Sequence, residues 1–211
     1  LTVTSLIWSH TSSNSDISFG ETCEVVCGAE YIKEIINDYI YIIRPNSFFQ
    51  TNSLTAGLLQ QQVLSTVDSF TLTPETTILD LYCGSGFFSI PLAKKYTQTI
   101  GGELVQSAIN DALENSRLNN INSNFICYPT EHVDLTSYNS DFLLVDPPRA
   151  GLHPKVIQDI LAKPSKFLVY VSCKYERFIS ELNVLQEKYS VVDCKAVDMF
   201  PHTPHVEVVT T

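Results

Sequence analysis

Basic residues are scarce in this sequence. Thirteen Lys and Arg stand against 23 Asp and Glu, so the formal net charge is −10 and the isoelectric point is about 4.8. A chain this acidic lacks the broad positive stripe with which a self-sufficient nucleic-acid-binding surface gathers phosphates. Long apolar runs are absent too. None approaches the roughly 18 residues that a bilayer-spanning helix needs, and no charged, apolar, small-residue signal pattern opens the chain. A soluble, cytoplasmic protein that does not engage a membrane is the expectation. The six cysteines (Cys23, Cys27, Cys83, Cys127, Cys173, Cys194) are scattered, without the dense spacing of a secreted disulfide framework, so reduced thiols are expected. Cys23 and Cys27 form a lone C-x-x-x-C, and His202 and His205 have no third ligand at helical spacing, so no metal site is expected. Methionine occurs once, as Met199. The chain therefore opens at Leu1 without an initiator, inside a strand-like pattern, and is expected to be a piece of a longer protein. What it does contain is ordinary for a folded protein: 44% hydrophobic and 10% aromatic residues, which excludes disorder as the main state. Its 211 residues suffice for one good-sized core, or a large domain plus part of another.

Two regions follow from the patterning. Residues 1–45 read as a β-rich lead-in, the remnant of a preceding domain, with strands over Thr2–Trp8, Cys23–Cys27, Tyr31–Ile36 and Tyr39–Ile43, the last two joined by a turn at Asn37-Asp38. Pro45 ends this region. Residues 46–211 open with a helix capped by Asn52, whose apolar face is expected to comprise Leu54, Leu58, Leu59, Gln62, Val63, Thr66 and Val67. From Thr76 onward strand-like and helix-like segments alternate: TTILDLY, FFSIPLAKKY, TQTIGGEL, VQSAINDALENSRLNN, NFICY, DFLLVD, HPKVIQDILA, KFLVYVS and ERFISELNVLQEKY. This alternation specifies an α/β fold, a Rossmann-like doubly wound sheet with ligands at the carboxyl ends of its strands. The tail, Val191–Phe200 and His205–Thr210, adds an antiparallel hairpin interrupted by Pro201 and Pro204.

The strand ends hold the residues with chemistry. Asp80 to Gly86 reads DLYCGSG, in which Gly84 and Gly86 let the backbone turn tightly and approach a ligand. The third glycine of the dinucleotide fingerprint is missing, so adenosine binding without pyrophosphate fits better. Glu103, at the tip of the next strand, is placed to accept hydrogen bonds from ribose hydroxyls. Asp146, Pro147, Pro148 and Arg149 make a stiff loop that holds an acid and a base at the crevice. KFLVYVS delivers Cys173 to the start of a helix, where a lowered thiol pKa, helped by Lys174, would make it a nucleophile; the plain alternative is a small buried residue. Glu207 lies in VEVV, where a carboxylate costs free energy unless it is paired or used.

Six motifs in order resemble the RNA (uracil-5-)-methyltransferase family: SFFQTN (47–52), LDLYCGSG (79–86), the strand-tip Glu103, VDPPRAGL (145–152), VYVSC (169–173) and DMFPHTPHVE (198–207). The resemblance covers most of the chain. It implies an S-adenosyl-L-methionine-dependent enzyme that makes 5-methyluridine in tRNA or rRNA. Gln50, Tyr82, Gly84, Glu103 and Asp146 match its cofactor positions. Phe87 occupies a further one, where relatives often have Asn and where a contact would come from the backbone. Cys173 matches the nucleophile that adds to uracil C6, and Glu207 the base that removes the C5 proton, which implies a flipped-out target uridine. Relatives follow the nucleophile with Asn-Pro, whereas this chain has Lys174-Tyr175. The family's RNA-binding barrel and its iron–sulfur cysteine cluster are not found in these residues, and a basic RNA-binding part elsewhere would account for the acidity. Two other readings remain at this stage. One is a methyltransferase acting on another RNA base, against which stand Arg149 in place of the aromatic of D-P-P-Y and the lack of a Cys beside Pro147 and Pro148. The other is a binding relative without turnover.

Overall fold

The computed structural model describes residues 3–12, 20–128 and 135–211. The lead-in forms two antiparallel hairpins. β1 (Ser5–His10) pairs with β2 (Thr22–Gly28), two to three residues later than the expected first strand, and β3 (Ile32–Ile36) pairs with β4 (Tyr39–Ile43). Asn37 (φ 47°) and Asp38 (φ 71°) supply the left-handed pair that a two-residue type I′ turn demands.

α1 (Ser53–Asp68) follows, and its buried stripe is Ala56, Leu59, Gln60, Val63, Thr66 and Val67. The expected face was one position out of phase at its start, since Leu54 is 91% exposed and Leu58 58% exposed. A period of 3.6 lets several overlapping stripes qualify, and the sheet selects the one nearest its own surface. Asn52 stands at the helix start without capping it through its side chain. Its Nδ2 instead donates to the Met199 carbonyl at 2.9 Å, tying the helix entry to the loop before the last strand.

The remaining elements are β5 (Thr77–Leu81), α2 (Ser89–Lys95), β6 (Gln98–Glu103), α3 (Gln106–Leu118), β7 (Asn124–Cys127), β8 (Phe142–Val145), α4 (Pro154–Ala162), β9 (Phe167–Ser172), α5 (Tyr175–Leu185), β10 (Cys194–Val197) and β11 (Glu207–Thr210). They build one seven-stranded sheet in the order β10-β11-β9-β8-β5-β6-β7. β5 pairs in parallel with both β6 and β8, so the strand order reverses there and a crevice opens at its carboxyl end. The terminal hairpin forms as expected, with one refinement: β10 takes the edge and β11 runs antiparallel between β9 and β10. Of the expected strand Val191–Phe200, only Cys194–Val197 pairs in the ladder.

Two cores sandwich the sheet. Ile78, Phe142, Leu144, Val169, Val171 and Val209 pack under α1 together with Ile36 and Tyr41 of the second hairpin. Leu79, Leu81, Leu143, Val145, Leu168 and Tyr170 pack against Val156 and Ile160 of α4 and Phe178 and Leu185 of α5. Among the described residues no helix is long and apolar enough to cross a membrane.

Candidate active site

The alternation of side chains along a strand decides which polar residues meet. Ile78, Leu144, Val171 and Val209 face α1. Two residues further along their strands come Asp80, Asp146 and Cys173, and Glu207, two residues before Val209 on antiparallel β11, stands at the same end of the sheet. β11 registers Val208 opposite Ser172 and Val209 opposite Val171, so one more step brings Glu207 opposite Cys173. Residues 34 apart in the chain thus become lateral neighbours at the carboxyl end of β9 and the start of β11.

The electrostatics corrects one expectation. The Cys173 thiol is half-buried and its pKa lies above the ordinary thiol value, through burial first and then the nearby Glu207 and Asp146 carboxylates. Arg149 is the cation that opposes them. Lys174, to which the sequence reading gave that task, is exposed, and burial with the two carboxylates sets the net direction upward. Burial pushes Glu207 up to about 7, with Arg149 pulling the other way. Asp146 is raised by burial, then by Glu207 and Asp80. The other cysteines lack this setting: Cys83 is fully enclosed with its thiol pushed further up by burial, and Cys23, Cys27, Cys127 and Cys194 are exposed.

The glycine loop forms the second half of the site. Tyr82 (φ 63°), Gly84 (φ 54°) and Gly86 (φ 87°) all take left-handed backbone. A Cβ at Gly84 would meet nothing within 4 Å, so this stretch of backbone borders open space. The Glu103 carboxylate accepts the Gly84 N–H at 3.2 Å and the Val105 N–H at 2.9 Å, which fixes it beside the loop with lone pairs to spare. Tyr82 Oη accepts the His153 N–H at 3.5 Å. Gln50 is buried and lines a cleft with Arg44, Ser47 and Thr51. Phe87 departs from the other expected positions: its ring packs on Phe49, Tyr41 and Phe88, and its carbonyl accepts from Tyr41 and Gln60.

The DLYCGSG motif assigns no role to Asp80. It is wholly buried, its Oδ2 accepts the Ser89 hydroxyl, and its Oδ1 has no partner. Burial raises its pKa to about 7, the Ser89 bond opposes this, and Glu103 adds to the rise. The signal was available, since Asp80 interrupts TILDL just as Glu207 interrupts VEVV. Arg149 was noted only as a base at the crevice; its electrostatic work needed the third dimension. The loop bearing it is anchored behind: the Leu152 N–H donates to Glu181, which also accepts the Tyr170 hydroxyl at 2.6 Å. A Cβ at Gly151 (φ 81°) would stand 2.1 Å from Glu181 Oε1, so this turn requires glycine.

These raised carboxylates make stability depend on pH with a defined sign. Asp80 and Glu207 move from ordinary values of 3.8 and 4.5 to about 7 in the folded state. The native protein therefore holds protons that the unfolded chain releases between about pH 4 and 7, and stability falls as pH rises through that window. Urea unfolding is expected to show a stability loss on the order of 1 kcal/mol or more from pH 5 to pH 8, and Asp80→Asn should flatten the fall. An unchanged slope in that variant would assign the effect elsewhere.

A family model described as tRNA (Uracil-5-)-methyltransferase matches residues 17–128 and 128–210. The tRNA (uracil(54)-C(5))-methyltransferase of Pyrococcus horikoshii is 39% identical over 206 residues, which cover 98% of this chain and 48% of that protein. Its counterpart in Pyrococcus abyssi is 40% identical over 205 residues, covering 97% and 48%. The crystal structure of the Pyrococcus abyssi tRNA (uracil-54, C5)-methyltransferase in complex with S-adenosyl-L-homocysteine superposes with a TM-score of 0.84 at 38% identity, over 100% of this chain and 51% of that one. The chain thus spans about half the length of the curated relatives it matches.

Proposed function

The chain belongs to the tRNA (uracil-5-)-methyltransferase family, and from that premise we propose that the protein methylates C5 of a uridine in tRNA, using S-adenosyl-L-methionine. The observation that carries the reading is Cys173 opposite Glu207 on the face that also presents Asp80 and Asp146, beside a glycine loop. Residues 46–211 are the methyltransferase domain in this reading, and 1–45 the lead-in from a preceding domain.

The site suits the cofactor chemically. S-adenosyl-L-methionine supplies an electrophilic methyl group on a sulfonium that carries positive charge. Four acids near the strand ends (Asp80, Glu103, Asp146, Glu207) and an orphaned buried carboxylate oxygen on Asp80 favour such a cation. Gly84 offers backbone without a side chain, and Glu103 is held where ribose hydroxyls would be accepted. Gln50, Tyr82 and Asp146 complete the holding set, with Phe87 contributing shape from within the core.

The chain's own residues then act on the base. The Cys173 thiolate adds to uracil C6, which turns C5 into an enolate-like carbon nucleophile. Once C5 carries the methyl group, Glu207 accepts its proton, the C5–C6 double bond re-forms and Cys173 leaves as thiolate. A group near pKa 7 is matched to this task at neutral pH. Arg149 opposes the carboxylates around the thiol and keeps the thiolate within reach.

The direct test is to incubate the full-length protein with S-adenosyl-L-methionine and unmodified tRNA or rRNA, then digest and identify nucleosides by mass spectrometry. 5-Methyluridine in tRNA is the expected product, with uridine 54, named in the relatives, as the first position to sequence. A methyl group on another base would overturn the reading, and product in rRNA alone would redirect it.

A further inference from the structure

The loop Tyr82–Phe88 is short, turns through three left-handed residues, and is bounded by β5 and α2, neither of which takes up all its carbonyls. Two of these carbonyls are claimed by side chains from elsewhere in the chain. The Tyr41 hydroxyl donates to the Phe87 carbonyl at 3.1 Å, and Gln60 Nε2 donates to the same oxygen at 2.7 Å and to Tyr41 Oη at 2.9 Å. Asn115 Nδ2 donates to the Ser85 carbonyl at 3.1 Å, while its Oδ1 accepts the Ile42 N–H at 2.7 Å. Asn37 in the hairpin turn donates to Gln60 Oε1 at 3.2 Å. Tyr41, Gln60 and Asn115 are all fully buried. They come from β4, α1 and α3, and none belongs to the six motifs of the family resemblance.

We propose that Tyr41, Gln60 and Asn115 are positioning residues for the cofactor loop, which makes hairpin β3–β4 part of the cofactor site. The inference rests on the methyltransferase reading above. Its physical basis is that a loop can present only one side to a ligand. With the Ser85 and Phe87 carbonyls drawn to the hairpin side, the Gly84 backbone is left facing open space. A buried carbonyl stripped of its donors would rotate to find others and take the loop with it. Asn119, one turn after Asn115, bonds Ile40 N–H and C=O at 2.8 and 2.7 Å and so docks the same hairpin without touching the loop.

That difference supplies the control. The full chain is titrated calorimetrically with S-adenosyl-L-homocysteine as wild type, Tyr41→Phe, Tyr41→Phe/Gln60→Met, Asn115→Asp and Asn119→Ala. Asn115→Asp keeps the acceptor for Ile42 and loses the donor to Ser85. The double variant and Asn115→Asp are expected to raise Kd about three- to tenfold each, with stoichiometry still near one. Tyr41→Phe, which retains the buried ring, should give the smallest rise, and Asn119→Ala should bind as wild type. If the network serves stability alone, the binding-competent fraction falls while Kd stays constant, which overturns the proposal. So does an Asn119→Ala loss equal to that of Asn115→Asp. A wild-type chain that does not bind S-adenosyl-L-homocysteine overturns the methyltransferase reading itself, a separate result from wild type and variants binding alike.

Discussion

Replacing Cys173 by alanine is expected to abolish covalent capture of 5-fluorouridine-substituted tRNA and to lower methyl transfer by about four orders of magnitude or more, the scale on which loss of a covalent nucleophile registers. Without addition at C6, C5 of uracil has no electron density to offer a methyl cation equivalent, so little of the reaction survives. The substitution removes one half-buried sulfur and leaves Ser172 and the β9 ladder in place, so the fold should persist. Intact-protein mass after incubation with S-adenosyl-L-methionine and the fluorinated RNA gives the readout. Fluorine at C5 cannot leave as a proton, so wild-type protein should gain the mass of the RNA and one methyl group, and Cys173→Ala should gain neither. An adduct that survives in the alanine variant would move the nucleophile elsewhere and sink this assignment. Because burial and two carboxylates hold the thiol above its usual pKa, the rate of adduct formation should climb with pH throughout the neutral range.

Glu207→Gln is expected to do the opposite to the adduct. Glutamine preserves the shape of the side chain between β9 and β10 but accepts no proton, so C6 addition and methylation proceed while release fails. Turnover should drop about 10²- to 10⁴-fold, and covalent protein–RNA complex should accumulate on natural, unfluorinated tRNA. A wild-type base poised at about 7 predicts that the release step accelerates as pH rises through 7 and then levels. The variant should lack that inflection. Quenched single-turnover reactions resolved on denaturing gels would report both quantities. If Glu207→Gln neither accumulates adduct nor loses the inflection, the proton is removed by another group, and the neighbouring Asp146 becomes the first to test.

Both outcomes depend on one topological fact, the insertion of β11 between β9 and β10. Had the final hairpin been appended in chain order, β10 would lie against β9 and Glu207 would sit one strand away from Cys173. The same insertion buries Glu207, and that burial gives the carboxylate its basicity. The cost appears in the pH dependence of stability, since a group tuned to hold its proton near 7 destabilises the folded chain whenever it is ionised.

The sequence by itself determined the alternating α/β architecture and the residues at its strand ends. Both are local: period-2 and period-3.6 apolar patterns need only neighbours in the chain, and DLYCGSG, DPPR and VSC sit where strands stop. Cys173 and Glu207 stand out as candidates for the same reason, each a reactive group at one end of an apolar run. Tertiary structure alone decided how these groups influence one another. Whether Leu54 or Ala56 faced the sheet depended on the angle at which α1 crosses it, and the side chain of Asn52 was drawn from its helix cap to Met199 by a loop almost 150 residues away. A chain position specifies one neighbour on each side, whereas the field at the Cys173 sulfur sums over charges on β11 and on the loop after β8, which turns the shift upward. Tyr41, Gln60 and Asn115 were invisible as site residues for a related reason: each reads locally as an ordinary core or helix residue, and only the folded chain brings their amide and hydroxyl groups onto two carbonyls of the glycine loop.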